Sequence, residues 1–362
     1  MSAVLNFNAG PAPLPPSVLE EAQGEFLNYR GQGMSILEMS HRVPEYEAIN
    51  ARAEANFKRL IGVGDGYRVV FMQGGASGQF ATVPMNFLKP DSTAEYLVTG
   101  TWGEKAVEEA ALLGQAHVAA STQEGGYRRV PRPDEIRRAD GPSAYIHLTS
   151  NETIQGVQYR DFPTLGETPL VGDMSSDILS RPIDASKFSL IYAGAQKNLG
   201  PAGVTVVLVR ESWLEQANQK IPTMLRYATH VKHHSLYNTP PTFSVYLLDL
   251  FLRWIDDEGG LAAIAARNDR KAAILYDAID GSGGFYRGHA EVESRSQMNA
   301  TFTLPSAELE KRFIAEAKAE GMVGLAGHRS VGGARASLYN AIGVEACLTL
   351  AGFMAQFAAR NG

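Results

Sequence analysis

Phe188-Ser189-Leu190-Ile191-Tyr192-Ala193-Gly194-Ala195-Gln196-Lys197-Asn198-Leu199-Gly200-Pro201 runs from an apolar segment through a lysine into a Gly-Pro turn. The apolar part reads as a short buried strand, and the Gly-Pro pair marks a turn after it. Lys197 therefore stands just beyond a strand end, held by structure on both sides. Upstream, Val171-Gly172-Asp173-Met174-Ser175-Ser176 repeats the arrangement with an acid. Working outward, apolar runs at 69–72, 95–99, 116–120, 144–148, 169–171, 190–193 and 204–209 read as strands. Helical patterns come after two of them, at 77–87 and 102–113. Short strands alternating with helices predict an α/β fold, a mostly parallel sheet flanked by helices. Ligands of such sheets bind beyond the carboxyl ends of the strands. Asp173, Lys197 and the segments 74–77, 99–102 and 150–153 all fall at those ends.

Residues 1–16 are rich in Pro and Gly and read as an extended arm. A large domain over 17–258 and a smaller C-terminal α/β domain over 259–362 are expected. The pattern from 241 to 278 is helical, with a break at Gly259-Gly260. Beyond it, strands are expected near 299–304 and 335–337, and helices at 306–320 and 344–360.

The chain has 362 residues, 44% hydrophobic and 20% charged, enough apolar material for a large domain and a smaller one. A formal net charge of -6 leaves no nucleic-acid footprint, so an anionic ligand needs a local cluster of cations. The single cysteine, Cys347, permits no internal disulfide and no cysteine-based zinc site. His233 and His234 are adjacent, which is poor spacing for two ligands from one helix face, and no metal is expected. The start, Met1-Ser2-Ala3-Val4-Leu5-Asn6-Phe7, lacks the charged region and apolar core of a signal peptide. No apolar run approaches the ~20 residues that span a bilayer, so a cytoplasmic protein is expected.

An acid at one strand end and a lysine at another suit pyridoxal phosphate. The amine forms a Schiff base with the aldehyde, and the carboxylate keeps the pyridine nitrogen protonated so that the ring accepts electrons. The plain alternative is a solvated lysine and a turn aspartate. Gly74-Gly75-Ala76-Ser77-Gly78-Gln79 comes after a strand and opens a helix, so its backbone N–H groups suit a phosphate, or form a plain turn. No Walker lysine is present, and Gln79 stands where a nucleophile elbow needs glycine. Trp102 opens a helix after Thr99-Gly100-Thr101, where its indole either stacks on a flat cofactor or packs in the core. His41-Arg42, His328-Arg329 and Arg335 lie beside loop residues. Arginine's planar fork suits carboxylate and phosphate, with surface ion pairs as the ordinary alternative.

Asn6-Phe7-Asn8-Ala9-Gly10-Pro11, Glu38-Met39-Ser40-His41-Arg42, Gly74-Gly75-Ala76-Ser77, Gly100-Thr101-Trp102, Ser150-Asn151-Glu152-Thr153, Asp173-Met174-Ser175-Ser176, Gln196-Lys197-Asn198 and His328-Arg329 through Arg335-Ala336-Ser337 together resemble the phosphoserine aminotransferases. The resemblance runs in order from residue 6 to about 345. It implies a fold-type I pyridoxal-phosphate transferase acting as a homodimer with shared sites. Lys197 would be the Schiff-base lysine, and Asp173 the partner of the pyridine nitrogen. Trp102 would stack on the ring, and Thr153 would bond near its phenolic oxygen. Ala76, Ser77 and Gln196 would hold the cofactor phosphate, with Asn238 and Thr239 reaching it from the other subunit. Arg335 would take the substrate α-carboxylate. His41, Arg42, His328 and Arg329 would surround the substrate phosphate or the distal carboxylate of glutamate, some from the partner chain. Two positions depart from some members, which carry arginine at the place of Ser77 and serine at that of Ala9.

The activity so implied is reversible amino transfer between O-phospho-L-serine and 2-oxoglutarate, giving 3-phosphohydroxypyruvate and L-glutamate, in serine biosynthesis. Some bacterial members also handle 4-phosphohydroxy-L-threonine in pyridoxine biosynthesis. The alternatives are a serine/alanine–glyoxylate transaminase, which would not need so many distal cations, and a non-catalytic pyridoxal-phosphate-binding protein.

Overall fold

The computed structural model describes residues 4–362. Met1, Ser2 and Ala3, which open the expected arm and the segment read for a leader, lie outside the described residues. The chain begins with β1 (Leu5–Asn6), then α1 (Pro16–Glu25) and α2 (Pro44–Ile61). Both helices start on proline, whose missing N–H costs nothing there. α2 buries Tyr46, Ile49, Ala53, Phe57 and Leu60 along one face and ends at Gly62, φ 78°. Neither helix is among the sequence-based expectations.

Next come β2 (Tyr67–Met72), α3 (Gly75–Phe87), β3 (Thr93–Val98), α4 (Thr101–Ala111), β4 (Gln115–Ser121) and β5 (Ser143–Thr149). A small hairpin, β6 (Asn151–Glu152) and β7 (Val157–Gln158), leads to β8 (Leu170–Asp173), β9 (Leu190–Gly194) and β10 (Thr205–Arg210). One sheet has the order β2-β10-β9-β8-β5-β3-β4. From β9 to β4 every pairing is parallel, and β10 runs antiparallel to both β9 and β2. β3, β8 and β9 are buried at every residue, because helices cover both faces, and so their sequences are mostly apolar, with Glu95 and Asp173 as buried acids. Alternate strand residues serve opposite faces. Phe71, Ile146, Ile191 and Val206 pack towards α2 and the later helix α7 (Thr242–Asp257), whereas Val70, Tyr145, Leu190 and Val207 pack towards α3 and α4.

The short helices α5 (Glu211–Leu214) and α6 (Tyr227–Lys232) precede α7 and then α8 (Gly260–Asp280). Gly259 and Gly260, at φ 92° and 79°, make the break between the two long helices. The C-terminal part contains β11 (Arg287–Gly288), β12 (Asn299–Thr303), α9 (Ala307–Ala319), β13 (Met322–Val323), β14 (Ala334–Ser337) and α10 (Val344–Asn361). β11, β12 and β14 form an antiparallel sheet with its own apolar core from α8, α9 and α10. The N-terminal arm is tied to this part. β1 pairs parallel with β13, and Phe7 is buried in the C-terminal core.

The seam between this core and the main sheet is polar. Asn151 Nδ2 donates to Asn299 Oδ1 (2.7 Å), Asn299 Nδ2 to Ser337 Oγ (3.0 Å), and Tyr339 OH to the carbonyl of Ala9 (2.9 Å). Buried amides bonded to one another across the seam fix one relative placement of the two parts. They thereby hold Arg335, on β14, against Thr153, which follows β6.

Candidate active site

Lys197 is half-buried, three residues past the end of β9. Its Nζ donates to Thr153 Oγ1 (2.8 Å) and lies 4.9 Å from the centre of the Trp102 ring. Burial lowers its pKa, and the nearby carboxylates of Asp173 and Glu152 oppose that shift. Asp173, the last residue of β8, is buried. Its Oδ1 accepts from Ser175 N (2.9 Å) and Ser175 Oγ (2.6 Å). Burial raises its carboxyl pKa, while Lys197 and the Ser175 bonds favour the anion. Lys197, Thr153, Trp102 and Asp173, far apart in sequence, thus come together at the carboxyl ends of β9, β5, β3 and β8.

α3 begins at Gly74 and Gly75, at φ 97° and 63°, and no side chain caps its first turn. The N–H groups of Ala76 and Ser77 are the free donors that an anion needs. Gly194 keeps the place open, since a Cβ there would meet Ala76 N at 3.4 Å. Ala76 is half-buried, and Ser77 and Gln196 are exposed. An uncapped helix start, a buried acid, an indole face and a poised lysine fit pyridoxal phosphate in each of its parts. Trp102 Nε1 is buried without a hydrogen-bond partner, and the ring packs in part against the core beneath α3 and α4.

Arg335 is half-buried. Its Nη1 donates to the carbonyl of Thr153 (3.3 Å), and its Nε is buried without a partner. His328, in the loop before β14, is half-buried with Nδ1 2.8 Å from Ser330 Oγ. Its pKa is lowered by burial and then by the charges of Arg335, Arg329 and Lys105. Lys105 was not singled out in the sequence. Its proximity to this group arises only through folding.

A second missed residue is Glu152, fully buried inside a motif from which only Thr153 was chosen. Its carboxylate accepts from Trp102 N (3.1 Å) and Gly103 N (2.9 Å), the first turn of α4. Burial pushes its pKa up to about 7 against those two bonds.

Other sequence candidates lie elsewhere in the chain. His41, buried with an unpartnered Nε2, and exposed Arg42 line a cleft with Glu54, Lys232 and His234, bounded by α2 and the segment after α6. Asn238 Nδ2 donates to the carbonyl of Thr239 (3.1 Å), and Asn238 lines a cleft with Gln73, Gly74 and Gly78. Neither pair has a hydrogen bond to Lys197, Asp173 or Arg335 of the same chain among the described residues. Twelve ion pairs form among the described residues, and none uses Arg42, Arg329 or Arg335. The ordinary surface-pair alternative for these arginines therefore fails.

Comparison with known proteins agrees with this geometry. The aminotransferase class-V family matches residues 4–347. A phosphoserine aminotransferase of Herpetosiphon aurantiacus is 59% identical over 359 residues, covering 99% of each chain. The solved phosphoserine aminotransferase of Bacillus circulans subsp. alkalophilus is 56% identical with a TM-score of 0.98, covering 100% of each chain. That of Trichomonas vaginalis, solved with pyridoxal phosphate bound, is 36% identical with a TM-score of 0.90, covering 97% of this chain and 99% of its own. The chain belongs to the class-V aminotransferases, pyridoxal-phosphate enzymes, and within them to the phosphoserine aminotransferases.

Proposed function

We propose that this chain transfers the amino group between O-phospho-L-serine and 2-oxoglutarate, yielding 3-phosphohydroxypyruvate and L-glutamate. The observation that carries this reading is the pair of arginines outside any ion pair among the described residues, Arg329 and Arg335, beside His328, with Arg335 close enough to the half-buried Lys197 to act on its charge. A substrate with an α-carboxylate and a second, distal anion supplies the charges they lack. The same two anions occur on 4-phosphohydroxy-L-threonine, which we propose as a further substrate.

Bound pyridoxal phosphate supplies the aldehyde that receives the amino group and the ring that takes up the electrons of the α-carbon. The remaining work falls to side chains. Asp173 would hold the proton on the ring nitrogen, its carboxylate fixed by Ser175. Trp102 would cover one face of the ring, and Ala76, Ser77 and Gln196 would hold the cofactor phosphate. Thr153 would orient both the ring oxygen and Lys197 Nζ. Lys197 would remove the α-proton at Nζ. Burial favours its neutral amine, which is the form that accepts a proton. Arg335 would clamp the α-carboxylate, and His328 and Arg329 the distal anion.

A homodimer belongs to the proposal. His41–Arg42 and Asn238–Thr239 would complete the partner's site, and neither pair has a hydrogen bond to Lys197 of its own chain among the described residues. The division into an arm over 1–16, a large domain over 17–258 and a small domain over 259–362 is likewise proposed. The helix break at Gly259–Gly260 and the separate C-terminal core support it. The cytoplasm is the proposed compartment. The single cysteine is free and buried, and among the described residues no helix is long and apolar enough to cross a membrane.

The test is the visible spectrum of the purified holoenzyme with O-phospho-L-serine and no keto acid. The cofactor band should give way to that of its amino form, and L-serine or L-alanine should leave it in place. The reverse pattern would assign the site to a serine/alanine–glyoxylate transaminase.

A further inference from the structure

Lys105 stands one helical turn beyond Trp102 on α4 and is exposed. Glu108 and Glu109 lie three and four residues on, where a helical ion pair could form. The side chain takes neither. Among the described residues it forms no ion pair, and its Nζ lies instead 5.0 Å from the centre of the Trp102 ring. It is also close enough to His328 to disfavour that ring's protonation, in company with Arg335 and Arg329. The charges of Lys105, Arg329 and Arg335 thus all reach His328, and among the described residues none of the three is in an ion pair. On a chain of net charge -6, such a group repels itself until an anion enters.

We propose that Lys105 is a further substrate-binding residue, whose ammonium, steered by Trp102, meets the phosphate of O-phosphoserine beside His328 and Arg329 and favours a dianion over a carboxylate. This rests on the proposed phosphoserine reaction. An arginine fork matches carboxylate and phosphate alike, whereas a lysine is a compact point charge whose attraction grows with the charge it meets. A phosphate carries close to twice the charge of a carboxylate. Loss of Lys105 should therefore weigh more on phosphoserine than on glutamate.

The test compares wild-type, Lys105→Ala and Lys105→Arg holoenzymes by kcat and KM for O-phosphoserine and for glutamate, and by inhibition with inorganic phosphate. Lys105→Ala should raise both the phosphoserine KM and the phosphate inhibition constant about tenfold, the scale of one charge-assisted hydrogen bond. The glutamate KM should rise only about twofold and kcat should move little, since the bond is made equally in ground and transition states. Lys105→Arg should recover most of the loss. Alanine is a good helix former and the site is exposed, so melting should be unchanged. Phosphoserine KM and phosphate inhibition within about twofold of wild type would remove Lys105 from the pocket, given that a charged contact is worth more than that. Equal losses on phosphoserine and glutamate would overturn its role in selectivity. A wild-type enzyme that does not convert phosphoserine would overturn the reaction and this inference with it, whereas an active wild type beside an indifferent Lys105→Ala overturns only the latter.

Discussion

Burial acts differently on two lysines of this chain. Lys197 keeps the carboxylates of Asp173 and Glu152 close enough to oppose the loss of its charge. Lys271 has no such help. It is fully buried on α8, and its Nζ donates to the carbonyls of Leu338 (2.8 Å) and Tyr339 (2.9 Å). Burial pushes its pKa down to about 7, with Arg267 lowering it further and Cys347 opposing. Cys347 itself is pushed up to about 11 and stays a thiol near neutrality. A neutral amine has two N–H groups, and the two carbonyls accept them both. In the unfolded chain the same lysine titrates near 10.5. Between about 7 and 10.5 the unfolded chain thus holds a proton that the folded one has released. Stability from this group therefore rises with pH across that window and is lost as pH falls through 7. Urea unfolding of wild type and Lys271→Met between roughly pH 6.5 and 9.5 should show that rise in the wild type and a flatter profile in the variant. The variant should be less stable by about 1–3 kcal/mol at the upper end, because two buried carbonyls lose their donor. Parallel profiles would show that Lys271 keeps its proton in the folded chain.

At the scale of an element, α4 depends on a residue far from it in sequence. Its start at Gly100 has no side-chain cap of its own, and Glu152 supplies the acceptor for Trp102 N and Gly103 N. The fit requires that residue 100 have no side chain. A Cβ there would stand 2.6 Å from Glu152 Cδ and from Gln155 Oε1. Removing the carboxylate should cost about 1–2 kcal/mol, as for other lost caps, and should free Trp102 from its place over Lys197. Glu152→Ala is accordingly expected to melt lower and to bind pyridoxal phosphate more weakly as apoprotein, with Glu152→Gln between it and wild type. Cofactor affinity equal to wild type in a folded Glu152→Ala would limit Glu152 to stability alone. This dependence also bears on how far the sequence discloses the site. The strands at 69–72, 95–99 and 190–193 were legible because burial on both faces makes them largely apolar. Lys197, Asp173 and Trp102 were legible because each comes just after such a run. α2 carried a usable signal, Pro44 before apolar residues at helical spacing and Gly62 after them, but no strand beside it drew attention. Glu152 and Lys105 could not be read, because each acts through space on residues whose nearness exists only in the folded chain. The pairing of β1 with β13 joins the two ends of the chain and was hidden for the same reason.

For the whole molecule, the proposed homodimer would complete each site with residues of the other chain. His41 and Arg42 sit in a cleft with Lys232 and His234, while Arg335 bonds the carbonyl of Thr153, acts on the charge of Lys197 and, like Arg329, lies close to His328. The segment leading to His41 also exposes Leu19, Leu27, Met34 and Leu37, with Leu27 82% accessible, a concentration of apolar surface that a second copy would cover. Sharing of residues across such an interface makes a quantitative prediction. A Lys197→Ala chain lacks its own lysine but still offers an intact Arg42 to its neighbour. An Arg42→Ala chain keeps Lys197 but offers a defective neighbour residue. Each homodimer should be nearly inactive at low phosphoserine. In a hybrid of the two, one site receives both defects and the other receives neither. Co-refolding equal amounts should therefore restore about a quarter of wild-type activity, since half the dimers are hybrids and each has one intact site of two. The hybrid fraction can be verified by separating differently charged tags before assay. If Arg42 serves the site of its own chain, the hybrid holds no intact site, and mixing recovers nothing beyond the sum of the two variants.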